Sequence, residues 1–242
     1  MATTVITYRQ TSDAWASFEP SLHQLIESRD VRRIVELGGG ANPTLTLDFI
    51  SRHSLDYAVL DISQTELDKA PHGYRKIRAD ICAADFSVEE KYDLAFSRML
   101  AEHVPDGFRF HRNIRSLLAD GGFAFHFFPT LFALPFVFNC LVPERWTDSL
   151  LQKLQSGRGR EGKQGKFPAY YRKCRGPLRS QIAFFEQVGF DVEQYVGFFG
   201  HPGYYRRVPP LRRAHLALSG HLTKHPNPLF TSFAQVTLVA SP

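Results

Sequence analysis

The chain has 242 residues, 43% of them hydrophobic and 22% charged, a balance that suits one well-buried domain and excludes wholesale disorder. Its three cysteines (Cys82, Cys140, Cys174) stand far apart with no CxxC pair, which argues against a disulfide framework or zinc knuckle and for a reducing compartment. The net charge is +5, yet residues 1–144 carry 14 Lys+Arg against 19 Asp+Glu and residues 145–242 carry 15 against 5, so the two halves face different chemistry.

In chain order, MATTVITYRQTSDAW carries no basic, apolar leader and reads as a cytosolic start, and residues 1–31 read as a helical segment. RRIVEL (32–37) is a short buried strand. NPTLTLDFISRH (42–53) reads as a helix beyond three glycines, with Asn42 as cap and Pro43 at its first position. DYAVLD (56–61) is a second strand, and SQTELDKA (63–70) opens as a capped helix, Ser63 standing three residues before Glu66. YRKIRAD (74–80) and YDLAFS (92–97) give the third and fourth strands. In residues 107–122, Phe110, Ile114, Leu117 and Leu118 recur at helical spacing up to a Gly pair, and FAFHFF (123–128) is the fifth strand.

Strands alternating with helices imply crossover units and a mostly parallel sheet covered on both faces. The apolar stretch 123–142 is interrupted by His126, Pro129, Pro135 and Asn139; a membrane span wants about 20 uninterrupted apolar residues, so it reads as a buried strand followed by an apolar helix. Residues 129–180, with ERWTDSLLQKLQ and the Gly- and basic-rich SGRGREGKQGKF, read as a helical, basic cap inserted over the site. RSQIAFFEQVGF (179–190) is a helix, DVEQYVGFF (191–199) and FTSFAQVTLVA (230–240) are strands, and residues 200–229 between them are rich in Pro, Gly, His and Arg. One domain follows: a core over 32–128, the cap over 129–180, and 181–242 completing the sheet.

The stretch VELGGGANPTL (35–45) stops a strand, bares its backbone at Gly38 and Gly40, and restarts as a helix. Such a turn admits a ligand close to the backbone and favours negative charge at the helix start. A dinucleotide fingerprint would place glycine at 43, where proline stands, and Glu36 before the glycines suits a cationic ligand at the lip of the strand.

With Glu36, Gly38 and Gly40 after the first strand, Asp61 ending the second (YAVLDIS), Asp80 after the third (RADI), AFSRMLAEHVPD after the fourth and IRSLLADGGFAFHF before the fifth, the chain resembles the class I S-adenosylmethionine-dependent methyltransferases. Asn42 replaces that family's usual third glycine. The resemblance covers residues 32–128 and implies a doubly wound, mostly parallel seven-stranded α/β sheet with its last strand antiparallel, a Rossmann-like fold. It implies S-adenosylmethionine as cofactor and S-adenosylhomocysteine as product. The implied cofactor residues are Glu36, Gly38, Gly39, Gly40, Asp61, Ile62, Asp80, Ile81 and Ser97: glycine backbone against the amino acid and ribose portion, Asp61 accepting both ribose hydroxyls, and Asp80 with Ile81 at the adenine. Tyr8 and Arg9 are candidates to close over the ligand.

Methyl transfer needs an acceptor aligned with the methyl and shielded from water, and a hydroxyl acceptor gains from a general base. His103 in LAEHVPD is the leading candidate and Glu102 the lesser one; the same Glu-His pair also reads as a structural cap of the next segment. His126 reads as a core histidine or a pocket residue, and His201 and Tyr204 in GHPGYY as acceptor-lining or loop-packing residues. His221 and His225 have metal-ligand spacing, but no third ligand is evident and no metal is assigned. Residues 153–179 hold nine Lys+Arg against Glu161 alone, and Arg206, Arg207, Arg212 and Arg213 form a second group. These suit a small-molecule or glycan acceptor carrying a phosphate, a peripheral contact with an anionic membrane and a lipid-linked acceptor, or a solvated face. O-methylation of a small or saccharide-like acceptor is the first functional reading. An RNA methyltransferase is the alternative, and a non-catalytic S-adenosylmethionine-binding module the reading of another class. Oligomeric state is not legible.

Overall fold

The computed structural model describes residues 3–87, 89–131, 168–201 and 209–241. Its strands form one eight-stranded sheet, one more strand than the seven expected. In chain order they are β1 (Val5–Gln10), β2 (Arg33–Leu37), β3 (Asp56–Asp61), β4 (Arg75–Arg78), β5 (Tyr92–Arg98), β6 (Leu118–Pro129), β7 (Phe190–Phe199) and β8 (Thr231–Ala240). The spatial order is β1-β7-β8-β6-β5-β2-β3-β4. β8 runs antiparallel to both β6 and β7, and the other pairings are parallel. All seven parallel strands therefore end at one edge of the sheet, and the order reverses about β2, whose neighbours are β3 and β5. That reversal opens a crevice at the strand ends.

The additional strand is β1, which pairs with β7 from Val5↔Gln194 to Gln10↔Phe199. Residues 1–31 are thus a strand followed by α1 (Ser12–Ser28) rather than wholly helical. Tyr8 belongs to that strand and stacks on Phe199 at 5.5 Å, so it packs on the sheet. Among the remaining helices, α2 (Leu47–Arg52) starts later than expected. Its cap is Thr46, whose hydroxyl accepts from the Phe49 N–H, and Asn42-Pro43 belongs to the glycine turn instead. α3 (Gln64–Lys69) carries the expected Ser63 cap on the Glu66 N–H. α4 (Gly107–Leu117) is capped by Asp106, and β6 starts directly at Leu118. The Gly pair at 121–122 therefore lies inside the strand, with Gly121 at φ +75°, where a register shift occurs against β5. α5 is Arg179–Gln187, and α6 (Pro209–Lys224) is a helix within the stretch 200–229 that is rich in Pro, Gly, His and Arg.

α1 covers one face of the sheet. Its Phe18 stacks on Phe125 at 5.3 Å and lies 5.7 Å from Phe127 and 6.4 Å from Phe96. α4 and α5 cover the other face with Phe110, Ile114, Leu117, Phe184 and Phe185, all buried. Burying each such side chain contributes about 1.5–3 kcal/mol, so the central strands are held from both faces and their ends are set rigidly at the crevice. Among the described residues no helix is long and apolar enough to cross a membrane. The expected apolar helix after residue 131, ERWTDSLLQKLQ and SGRGREGKQGKF lie outside the described residues.

Candidate functional site

The glycine turn leaves β2 while still in register, because the Gly38 N–H donates to the Leu60 carbonyl at 2.7 Å. Gly38 and Gly40 then take positive φ (+72° and +43°), which only glycine adopts without strain, and the Asn42 N–H closes the turn on the Gly39 carbonyl at 2.9 Å. The turn is also crowded. A Cβ on Gly38 would fall 2.8 Å from the Leu100 side chain, one on Gly39 2.8 Å from the Glu36 carboxyl carbon, and one on Gly40 3.0 Å from Asp61 Oδ2. The three glycines thus bring the ends of β2, β3 and β5 to one point.

Glu36, expected at the lip facing a ligand, is buried instead. Its carboxylate accepts from the Thr44 N–H (2.8 Å), the Thr44 hydroxyl (2.6 Å) and the Tyr57 hydroxyl. Burial raises its pKa, opposed by those donors and by the Arg98 guanidinium. It therefore acts as a latch across the base of the loop, tying residue 44 back to β2 and β3. The buried face of β3 supplied Tyr57, a partner that residue spacing does not disclose.

Asp61 stands at the end of β3. Its Oδ1 accepts from the Ser63 N–H at 2.8 Å, while Oδ2 faces the Gly40 turn. Half-burial raises its pKa. Ile62 beside it is 59% exposed, an apolar side chain presented outward at the crevice. The Ala79 N–H donates to the Asp61 carbonyl at 3.1 Å, which brings Asp80 alongside. Asp80 is exposed and turns the chain by accepting from the Cys82 N–H at 2.8 Å. Ile81 is buried, and its carbonyl is held by Asn113 Nδ2 at 2.8 Å.

Two expected residues lie away from the crevice surface. Ser97 and His126 are cross-strand partners on β5 and β6 and are both fully buried. The Ser97 hydroxyl is 2.8 Å from His126 Nδ1, and the His126 ring lies 5.4 Å from that of His111 and 5.9 Å from Phe110. Side chains alternate along a strand. Phe96, Phe125 and Phe127 face α1, so Ser97 and His126 face the α4 layer. Burial lowers the His126 pKa to about 3. Neither side chain reaches the crevice surface: His126 is a core histidine rather than a pocket residue, while Ser97 stands opposite Leu37 at the end of β5, so that its backbone lies beside the glycine turn.

After β5, Met99 takes φ +56° and the chain enters a short 3₁₀ turn (Ala101–His103). Leu100 leans over Gly38, so this turn is fastened to the glycine loop. His103 Nδ1 lies 2.9 Å from the Pro168 carbonyl, and since a carbonyl only accepts, Nδ1 carries the proton. Nε2 lies 3.7 Å from Glu102 Oε1. Glu102 is buried and its Oε2 has no hydrogen-bond partner among the described residues; burial raises its pKa to about 8. Its carbonyl accepts from the Tyr170 and Tyr171 N–H groups at 2.7 and 3.1 Å. The segment 168–178 is thereby docked on the Glu102-His103 pair. A Cβ on Gly107 would fall 2.5 Å from the Arg172 carbonyl, so the same segment also closes on the start of α4, leaving Arg172 and Lys173 exposed beside it.

His201 follows β7. Its N–H donates to His215 Nε2 at 2.6 Å, and its ring lies 5.4 Å from Phe233. Burial lowers its pKa to about 4. Tyr204, Arg206 and Arg207 lie outside the described residues. His221 and His225 have rings 4.8 Å apart at the end of α6, and among the described residues no group of three or more His, Cys, Asp or Glu side chains suits a metal ion.

With this geometry in place, comparison with known proteins is direct. A family model described as a methyltransferase domain matches residues 9–195. An S-adenosylmethionine-dependent methyltransferase from Mesorhizobium loti superposes with a TM-score of 0.51 at 19% identity, covering 91% of this chain and 96% of that one. One from Archaeoglobus fulgidus gives 0.56 at 13% identity, covering 93% of each chain. Phosphoethanolamine N-methyltransferase 2 from Haemonchus contortus, solved with S-adenosyl-L-methionine, gives 0.50 at 13% identity over 93% of this chain and 53% of that one. At such identities the likeness is one of fold. No curated protein matches the sequence significantly.

Proposed function

The chain belongs to the methyltransferase-domain family and is a class I S-adenosylmethionine-dependent methyltransferase; from that premise we propose that it methylates a hydroxyl group of a small or saccharide-like acceptor bearing negative charge. The residues present fit the cofactor. Gly38, at the head of the turn, is exposed and leaves its backbone open to a ligand, an Asp61 oxygen faces the Gly40 end of that turn, and exposed Ile62 offers an apolar surface beside it. Asp61 would hold the ribose diol, Asp80 and the Ile81 backbone the adenine, and residues 38–40 the amino acid portion. When bound, the cofactor supplies a methyl group on a sulfonium, ready for in-line displacement.

The observation that carries the oxygen assignment is the posture of His103. Its Nδ1–H is spent on the Pro168 carbonyl, which fixes the ring and leaves Nε2 as the basic nitrogen. A base so oriented can take the proton from an acceptor hydroxyl as the oxygen attacks. The buried Glu102 carboxyl lies 3.7 Å from that same nitrogen. The charge of the acceptor is supported by exposed Arg172 and Lys173 on the segment docked against His103 and by the basic balance of residues 145–242.

The test is methyl transfer from labelled S-adenosylmethionine to a panel of phosphorylated sugars, lipid-linked glycans and phenols, with amines and RNA as competing classes. Methyl ethers as products, and a fall of about 10² or more in kcat for His103→Ala with S-adenosylhomocysteine affinity retained, are the expected results. A methylated nitrogen, or near wild-type turnover in His103→Ala, would overturn the assignment.

A further inference from the structure

α6 (Pro209–Lys224) has an unusual relation to the rest of the fold. Of its residues only Ser219 is buried. Leu211 and Leu218 are 48% and 49% exposed, Leu216 is also exposed, and the 3₁₀ turn that follows adds exposed Leu229 and Phe230. What fastens the helix is polar. His215 Nε2 accepts from the His201 N–H, and Ser219 packs so closely on Gly200 that a Cβ there would fall 2.5 Å from its hydroxyl oxygen. The Ser219 and Thr223 hydroxyls donate to carbonyls one turn earlier, at 2.7 and 2.8 Å. The leucines therefore contribute little to the core, and they are not a scatter, since Leu211 and Leu218 stand seven residues apart on one side of the helix.

The charge on this stretch of chain has one sign. After Glu193 the chain contains no acidic residue, while Arg212, Arg213 and Lys224 lie on α6 itself. A second protein would be expected to meet an apolar helix with some charge of each sign. A purely cationic helix edged by leucines instead matches an anionic lipid surface, which supplies apolar depth and negative headgroups together. Position supports this too. Gly200 and His201 follow β7, whose carboxyl end lies on the same edge of the sheet as Gly38 and the crevice.

We infer that α6 and the following turn form a docking surface for an anionic lipid bilayer, setting the crevice edge of the sheet against the membrane. This does not depend on which acceptor is methylated, and its test uses no turnover. The full chain is sedimented with vesicles of phosphatidylcholine alone and of phosphatidylcholine with phosphatidylglycerol, at low and high salt. Binding to the anionic vesicles, weakened by salt, is expected, with little binding to the neutral ones. The double variant Arg212→Glu/Arg213→Glu lowers the partition coefficient by at least about 10-fold, and Leu218→Asp or, independently, Leu211→Ser lowers it several-fold. Thermal melting and S-adenosylhomocysteine affinity stay at wild-type values, which separates docking from folding and from the cofactor site. Absence of binding to anionic vesicles, equal binding to both vesicle types, or indifference to these variants would overturn the inference. So would a dimer that Leu218→Asp dissolves, or RNA binding that the arginine variant abolishes and Leu218→Asp leaves intact while vesicles are ignored.

Discussion

Glu36→Gln separates two tasks that a carboxylate before the glycines can perform. In the structure the Glu36 oxygens accept from the Thr44 N–H at 2.8 Å, the Thr44 hydroxyl at 2.6 Å and the Tyr57 hydroxyl. Glutamine keeps the volume and one acceptor oxygen. That oxygen can still take the Thr44 N–H, which can only donate, while the new NH₂ group must face a hydroxyl that rotates to accept it. The cost is then mainly the loss of charge assistance. Hydrogen bonds to a charged group contribute about 1.5–3 kcal/mol and neutral ones about 0.5–1.5, so two or three weakened bonds cost about 2–3 kcal/mol. Glu36→Ala removes the acceptors altogether, deprives the buried Tyr57 hydroxyl of its acceptor, opens a cavity, and should cost about 4 kcal/mol or more. Urea unfolding of both variants, with Tyr57→Phe and the double variant Glu36→Gln/Tyr57→Phe to close a cycle, measures the coupling directly. A latch predicts a coupling near 1 kcal/mol and an S-adenosylhomocysteine affinity that falls only as the loop loosens, by about 10-fold. A Glu36→Gln protein with wild-type stability but severely weakened ligand binding would refute the latch and return Glu36 to direct contact with the ligand.

Other substitutions test other parts of the site. Gly40→Ala places a Cβ 3.0 Å from Asp61 Oδ2 at φ +43°, so it should cost about 1–2 kcal/mol in stability and displace Asp61, lowering S-adenosylhomocysteine affinity at least about 10-fold by calorimetry. Asp61→Ala should abolish that binding with little change in melting temperature. His126 titrates at about 3 in the fold against an ordinary 6.5, so the unfolded chain holds the extra proton between those values. Stability should fall as pH drops below about 6.5, by about 1.4 kcal/mol per pH unit from this residue, and His126→Asn should flatten that acid limb in urea titrations. Glu102 has the opposite sign: with its folded pKa raised to about 8 from 4.5, its contribution is complete below 4.5 and is lost as pH rises through 8. Glu102→Gln should therefore remove part of the decline between pH 5 and 8, and an unchanged slope would count against a neutral buried carboxyl.

Where local physics and tertiary demand agree, the sequence was readable. β3 ends at Asp61, and α3 is capped by Ser63, because a run of β-branched and apolar residues followed by a serine leaves the backbone few alternatives. The turn at Gly38–Gly40 was readable for the same reason, since positive φ at two positions excludes most side chains. β1 was missed although Val5-Ile6-Thr7-Tyr8 has strand chemistry: as an edge strand it is largely exposed, and it acquires its partner from a segment nearly 190 residues away. α6 was missed because its turns carry no stripe that the core requires; its apolar residues point outward and a Pro pair opens it. The facing of Ser97 and His126 was illegible for a different reason. Period-two alternation says that His126 opposes Phe125 and Phe127, but both faces of this sheet are covered, so alternation cannot distinguish the crevice from the interior.

The imbalance of charge along the chain has a spatial meaning in this topology. The order reversal at β2 puts the ends of β2, β3 and β4 on one side of the crevice, with Asp61 and Asp80 at the surface and Glu36 beneath them; carboxylates there suit a ligand that carries a sulfonium and an ammonium. On the other side stand β6, β8 and β7, with the docked segment 168–178 and α6 bringing Arg172, Lys173, Arg212 and Arg213 and no acidic residue after Glu193. A methyl donor that is cationic and an acceptor that is anionic would each be drawn to its own side of the same edge. His103 sits between them on the turn after β5, the strand adjacent to the reversal. Exchanging the sign of the basic side, with Arg172→Glu and Lys173→Glu together, should thus raise the KM of a phosphorylated acceptor at least about 10-fold at low salt, less at high salt, while the KM for S-adenosylmethionine stays constant. Parallel changes in both KM values would mean that the two sides are not electrostatically separate.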